Sequence, residues 1–122
     1  MIKFKRKKFR LQFENLRRNL QHIAFDLAGI LEYDLGKDLI ITSVARTDPN
    51  STHSHRRALD FRISTAMGKH FNDEEVNFMK KWMSDYQYGN KPTLFVHNNR
   101  MGKGIHGHLQ VNSKEWILLS NA

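Results

Sequence analysis

Thr52-His53-Ser54-His55-Arg56-Arg57-Ala58-Leu59-Asp60-Phe61 is the stretch on which the reading of this chain turns. From Ala58 to Ile63 the residues alternate: Leu59, Phe61 and Ile63 fall on one side, Ala58, Asp60 and Arg62 on the other. That period of two predicts a strand with one apolar and one polar face. It carries a carboxylate on the polar face, and a loop holding His53 and His55 leads into it. The loop is marked by Thr47-Asp48-Pro49-Asn50-Ser51. Further on, Gly104-Ile105-His106-Gly107-His108 opens another alternating stretch, which puts His106, His108 and Gln110 on one face and Leu109 and Val111 on the other. His97 falls at the end of the strand predicted just before it, Thr93 to Val96, across a loop from Asn98 to Gly104.

These residue types suit a metal. A hydrolytic zinc site needs three protein ligands and an open position for water, whose pKa then falls towards ~7. The chain has no cysteine, so a transition metal has to be held by His and carboxylate. His53 in a loop and Asp60 on the next strand can converge if the loop folds back, and one member of the His106/His108 pair can bind metal while the other faces substrate. Each element has a plainer reading. A single His is most often a surface residue, and Asp60 could simply pair with Arg56, Arg57 or Arg62. The combination in one cysteine-free chain is what points to a site.

The remaining sequence predicts one α+β domain, with a small, mostly antiparallel sheet packed against an N-terminal and a central helix. At 122 residues a single core is expected. Leu16, Leu20, Ile23, Leu27, Ile30 and Leu31 recur at helical spacing, which predicts a helix from about Phe13 to Tyr33 with Gly36 as its C-cap. Leu39 to Val44 is a predicted strand. Asn72-Asp73-Glu74-Glu75 has the pattern of a capping box, opening a helix to about Tyr86 that buries Val76, Phe78 or Met79, and Trp82. Trp116 to Leu119 is a predicted short last strand.

The formal charge of +8 is unevenly spread. Residues 1–18 contain eight Lys and Arg against Glu14 alone, whereas residues 19–122 come to +1. Residues 1–12 are therefore expected to be a basic N-terminal arm, with the domain proper over 13–122. Phe4, Phe9 and Phe13 could anchor the arm to the body or to a partner. The arm favours polyanions such as nucleic acid, teichoic acid or acidic lipid, or else is a solvated end. No apolar run is long enough for a membrane span, and no apolar stretch follows the basic start as in a secretory signal.

Three segments together resemble the LAS group of zinc peptidases: Ile41-Thr42-Ser43-Val44-Ala45-Arg46-Thr47, then Ser51 to Asp60, then His106-Gly107-His108. That group includes D-Ala-D-Ala carboxypeptidases, murein endopeptidases, phage L-alanyl-D-glutamate endolysins and the hedgehog domain. Ser51, His53, Ala58 and Asp60 match the pattern Ser-x-His-x-x-Gly-x-Ala-x-Asp in register, and the likeness covers roughly residues 38–112. The resemblance implies a hedgehog/DD-peptidase-like fold and Zn2+ on His53, Asp60 and His108. It implies His106 as the catalytic or substrate-facing histidine and Arg46 as the arginine that anchors substrate or the oxyanion. Ser51 and His97 would support the site. Manganese or iron would tolerate the same ligands. Two positions depart from the pattern: Arg56 stands where the family has glycine, and Ile105 where a catalytic Glu precedes the last His ligand. A histidine would then take the acid–base role.

The expected function is therefore hydrolysis of peptidoglycan stem peptides by a phage- or bacterium-encoded murein hydrolase. It would be made in the cytoplasm and reach the wall after holin-type release or as a virion component. The alternative is a non-catalytic zinc-binding structural or virion module of the same fold. A metal-dependent nuclease is a third reading, suggested by the basic arm and the His-rich loop; no phosphate-cradling element accompanies them.

Overall fold

The computed structural model describes residues 1–44, 56–88, 91–98, 104–111 and 118–119. The expected loop at Thr47–Ser51, most of the Asn98–Gly104 loop, and Trp116 lie outside the described residues. In chain order the elements are β1 (Ile2–Phe4), α1 (Lys7–Glu14), α2 (Arg18–Ile30), a π-helical turn (Leu31–Leu35), β2 (Leu39–Ser43), β3 (Ala58–Arg62), β4 (Ser64–Thr65), β5 (Gly68–Lys69), α3 (Asp73–Met83), β6 (Tyr86–Tyr88), β7 (Lys91–Pro92), β8 (Leu94–Asn98), β9 (Ile105–Gln110) and β10 (Leu118–Leu119). The fold class is α+β, as expected.

The main sheet has the order β1-β2-β3-β9-β8. Only the β1–β2 pair is parallel; the β2–β3, β3–β9 and β8–β9 pairs are antiparallel. β9, late in the chain, is inserted between β3 and β8. Ile41, Leu59, Phe61, Leu109 and Leu94 from this sheet join Leu20, Ile23, Leu27 and Leu31 from the helical layer in one core, with Phe71, Met79 and Met83 from the α3 region. Two small sheets complete the fold, β10-β6-β7 and the β4–β5 hairpin. Among the described residues no helix is long and apolar enough to cross a membrane.

Residues 1–12 correct one expectation. They are not an arm beside the domain. Ile2, Lys3 and Phe4 pair with Leu39, Ile40 and Ile41, and α1 buries Phe9 and Phe13. The Phe4 and Phe13 rings meet edge to face at 5.6 Å, as do those of Phe13 and Phe25. The phenylalanines thus anchor the basic segment to the body, because the apolar area they remove from water offsets the cost of ordering the chain.

The helix expected from Phe13 to Tyr33 is divided. The Asn15 amide donates back to the Leu11 carbonyl, and the Gln21 amide donates to the Leu16 and Glu14 carbonyls at 2.8 and 3.3 Å. These side chains take up carbonyls that a helix end leaves without partners, so α1 stops and α2 starts again at Arg18. Beyond the break, Leu20, Ile23, Ala24, Leu27 and Ala28 keep the helical period and are buried. Gly36 ends this run in the left-handed conformation at φ 64°, as expected.

α3 opens on the expected capping box, the Asn72 side chain accepting from the Glu75 N–H and Glu75 accepting from the Asn72 N–H. It ends at Met83, short of Tyr86, and fully buries Met79 and Met83, while Val76 and Trp82 pack at the core margin. Lys37 donates to Glu75 Oε1 at 2.6 Å, tying α3 to the turn after α2.

Candidate functional site

Antiparallel partners share a face, so register decides what meets. On one face of the sheet Leu59 stands opposite Leu109, and Leu94 lies beyond it; Phe61 stands opposite Gly107, and Val96 lies beyond it. This is the core face. On the other face Asp60 stands opposite His108, and Phe95 lies beyond it; Arg62 stands opposite His106, and His97 lies beyond it. Gln110 continues the row beside His108, opposite Ala58.

The glycine of His106-Gly107-His108 has a packing reason. A Cβ there would run into three carbons of the Phe61 ring, which occupies the space above Gly107 on the core side. The absent side chain lets the two histidines stand on either side of it without β9 being pushed away from β3.

Asp60 is 3 % exposed, and His108 Nδ1 lies 2.9 Å from its Oδ1. His108 Nε2 lies 2.9 Å from Gln110 Oε1. With its hydrogen on Nε2, His108 donates to Gln110 and turns the Nδ1 lone pair towards Asp60, where a metal ion bound by both would fit; with its hydrogen on Nδ1, His108 donates to Asp60 in an ordinary carboxylate–histidine pair and Nε2 faces the Gln110 amide.

The other rings gather round this pair. The His97 ring lies 5.6 Å from both His106 and His108, centroid to centroid. Phe95 stacks against His97 at 6.1 Å and leans on His108 at the same distance. The four aromatic rings form a wall beside a buried carboxylate, His97 being the exposed member.

Of the residues singled out from sequence, Asp60, His106, His108 and His97 are brought together on this face. Arg46, Ser51 and His53 lie outside the described residues. Among the described residues no group of three His, Asp or Glu is arranged to hold a metal ion. Two of the three expected ligands fit one: a buried carboxylate and an imidazole nitrogen 2.9 Å apart, on adjacent central strands. Nitrogen and oxygen donors of this kind suit Zn2+.

Arg56 has φ 61° and is the only non-glycine with positive φ among the described residues. It stands where the resemblance has glycine, and an arginine in the left-handed region is strained where glycine would not be. Ile105, at the place of the family's glutamate, packs against the core, and its N–H donates to Ser64 Oγ at 3.0 Å. Gln110 and Phe95 were not assigned roles from sequence. The signal for Gln110 was its position two residues past His108 on the polar face; nothing in the pattern marked Phe95.

No family model matches this chain, and neither the curated proteins nor the solved structures include a match to it.

Proposed function

We propose that this chain is a zinc-dependent peptidase that hydrolyses peptide bonds of peptidoglycan stem peptides. The observation that carries the reading is the buried Asp60 carboxylate 2.9 Å from His108 Nδ1, with His106 on the same face of the sheet. His53 would be the third ligand, with Asp60 and His108. The bound ion would supply an ionisable water near neutral pH and draw electron density from the scissile carbonyl.

The remaining steps fall to the chain itself. His106, on the same face as the ligand pair and opposite Arg62, accepts the proton of the attacking water and returns it to the leaving nitrogen as the C–N bond breaks. Ile105 cannot do this, which leaves a histidine as the acid–base group. Arg46, carried over from the resemblance, would face the oxygen that becomes negative in the tetrahedral intermediate. The Phe95 ring covers one flank of His108, with exposed His97 at the solvent side.

The test is amino-group release from purified peptidoglycan, with and without chelator, for wild type, Asp60→Ala and His106→Ala, with metal content read on each. We expect one zinc per chain in wild type and in His106→Ala, none in Asp60→Ala, and release by wild type alone. Absence of any metal in the reloaded wild type would refute the site.

A second reading has its own observation. Ile105 stands at the place of the glutamate and packs, partly buried, against the core, so the same fold could hold zinc only as a structural or virion module. One zinc per chain with no release from any wall preparation would favour it.

A further inference from the structure

β1 is an edge strand of the main sheet, and no described strand pairs with its outer side. The Leu39 N–H donates to the Met1 carbonyl at 3.0 Å, and the Lys5 N–H donates to the Ile41 carbonyl at 2.9 Å. These two bonds frame the parallel ladder, so residues 1, 3 and 5 turn their backbone groups towards β2. Ile2 and Phe4 therefore turn their N–H and C=O groups outward along the free edge.

A groove of about 470 Å³ lies beside that edge, between β1, α1 and α2. Its apolar lining is Ile2, Phe4, Phe13 and Phe25, the last 57 % exposed. The Phe13 ring meets both Phe4 and Phe25 edge to face, so the three rings make one surface that reaches solvent at Phe25. Arg10 and Glu14, one turn apart on α1, line the same groove. A free sheet edge with an apolar groove beside it can take an added strand: backbone bonds supply affinity, and alternate side chains supply specificity.

We propose that β1 docks an extended acidic peptide of a partner protein, which adds as a strand and places alternate apolar side chains in the Phe4–Phe13–Phe25 groove. The pleat fixes the pattern. Peptide residues opposite Ile2 and Phe4 share their face and enter the groove. The residues between them share the face of Lys3 and Lys5, both exposed, where carboxylates are favoured. Exposed Arg6, Lys7 and Lys8 follow, and Glu14 is the single carboxylate of the first 18 residues. The ligand is thus a segment in which acidic and apolar residues alternate.

Charge and backbone chemistry select this occupant. A second copy pairing edge to edge would set Lys3, Lys5 and Arg6 against their own kind, which is how edge lysines reject self-association. A nucleic acid would meet the cations, but its phosphates only accept, leaving the outward carbonyls of Ile2 and Phe4 without donors. A peptide backbone meets the N–H and C=O groups alike. The dock is independent of any turnover at the sheet site.

The experiment titrates the full chain with a short fluorescent peptide of alternating Glu and Phe. Its comparisons are the same peptide with Lys for Glu, two versions N-methylated on the Phe or on the Glu nitrogens only, and oligothymidylate of equal charge. We expect the acidic peptide to bind and the Lys peptide not to. Amide exchange at Ile2 and Phe4 should slow by about tenfold or more on binding. One methylated version alone should lose affinity, by about tenfold: the Phe set if the added strand is antiparallel, the Glu set if it is parallel. Phe25→Ala, at an exposed ring, should weaken binding about fivefold. The control Lys80→Gln/Lys81→Gln, on α3, should change it by less than about twofold. Equal effects of the two methylations, or unchanged exchange at Ile2 and Phe4, would overturn the assignment. So would oligothymidylate binding as tightly as the acidic peptide, which would make the surface one for nucleic acid. Protection of the same amides by dimerisation without peptide would give the edge to a second copy instead.

Discussion

Gly107→Ala is the substitution in which fold and candidate site are most directly coupled. The added methyl would overlap three carbons of the Phe61 ring, and Phe61 is fully buried in the core. The ring cannot bend away as a flexible chain end would, so either the ring or β9 moves. Overpacking of this kind costs about 1–3 kcal/mol, and contact with one rigid ring places it in the upper half of that range. Replacing glycine also stiffens the unfolded chain, which returns about 0.4–1 kcal/mol. The net expectation is a loss of about 2 kcal/mol, or a Tm lower by roughly 8 °C for a domain of this size. Urea denaturation of Gly107→Ala, Phe61→Leu and the double variant closes the cycle. If the ring is the obstacle, Gly107→Ala should cost at least about 1 kcal/mol less in the Phe61→Leu background. Costs equal within about 0.5 kcal/mol in both backgrounds would refute the packing argument. Since His106 and His108 flank the glycine, the single variant should also lose zinc affinity, and the double variant should regain part of it.

Arg56→Gly should stabilise the protein by about 0.5–1 kcal/mol, because relief of a left-handed side-chain conformation exceeds the added entropy of the unfolded chain; a drop in urea midpoint would contradict this. Gln110→Glu keeps an acceptor at His108 Nε2 and adds a charge, whereas Gln110→Leu removes the acceptor. Zinc affinity should hold in the first and fall about 10–100-fold in the second, by competition with a chromogenic chelator. The hydrogen bond from Lys37 holds the Glu75 carboxyl below its ordinary value. A depressed carboxylate contributes stability above its unfolded value and loses it as pH falls through the folded value. Glu75→Gln should therefore flatten the loss of stability below about pH 4.5, seen by comparing denaturation at neutral and acid pH. Asn72→Ala, which removes the cap of α3, should cost about 1 kcal/mol by the same assay.

Much of the sheet was legible in sequence because its strands alternate. β3 and β9 could be read with their faces assigned, and the Asn72–Glu75 cap and Gly36 are local signals that need no tertiary knowledge. What sequence could not supply was register. That Asp60 stands opposite His108, 48 residues on, is a property of strand pairing and not of either strand. The reason for Gly107 was hidden likewise, since Phe61 becomes its neighbour only once β3 and β9 are paired. The misread segments have their own causes. Ile2 and Phe4 alternate with lysines in a strand too short to stand out against the charge around it. The break between α1 and α2 depends on Asn15 and Gln21 side chains reaching carbonyls, which leaves the apolar period intact and invisible as a break. The Ser64–Lys69 hairpin was too short to register as strands.

The position of β9 between β3 and β8 also bears on the order in which a growing chain can acquire its parts. The segment from β1 to β2 has all its strands and helices once residue 43 has been made, although β1 and β2 pair in parallel across two helices. β3 adds one further edge, and that edge carries Asp60. Until residues 105–110 have been made, both β3 and β8 present unpaired backbone groups, the features by which nascent sheets find wrong partners. A carboxylate midway along β3 makes its open edge a poor template for another apolar strand. The same side chain would then guard the unfinished sheet against misassociation before it joins His108 in the finished one.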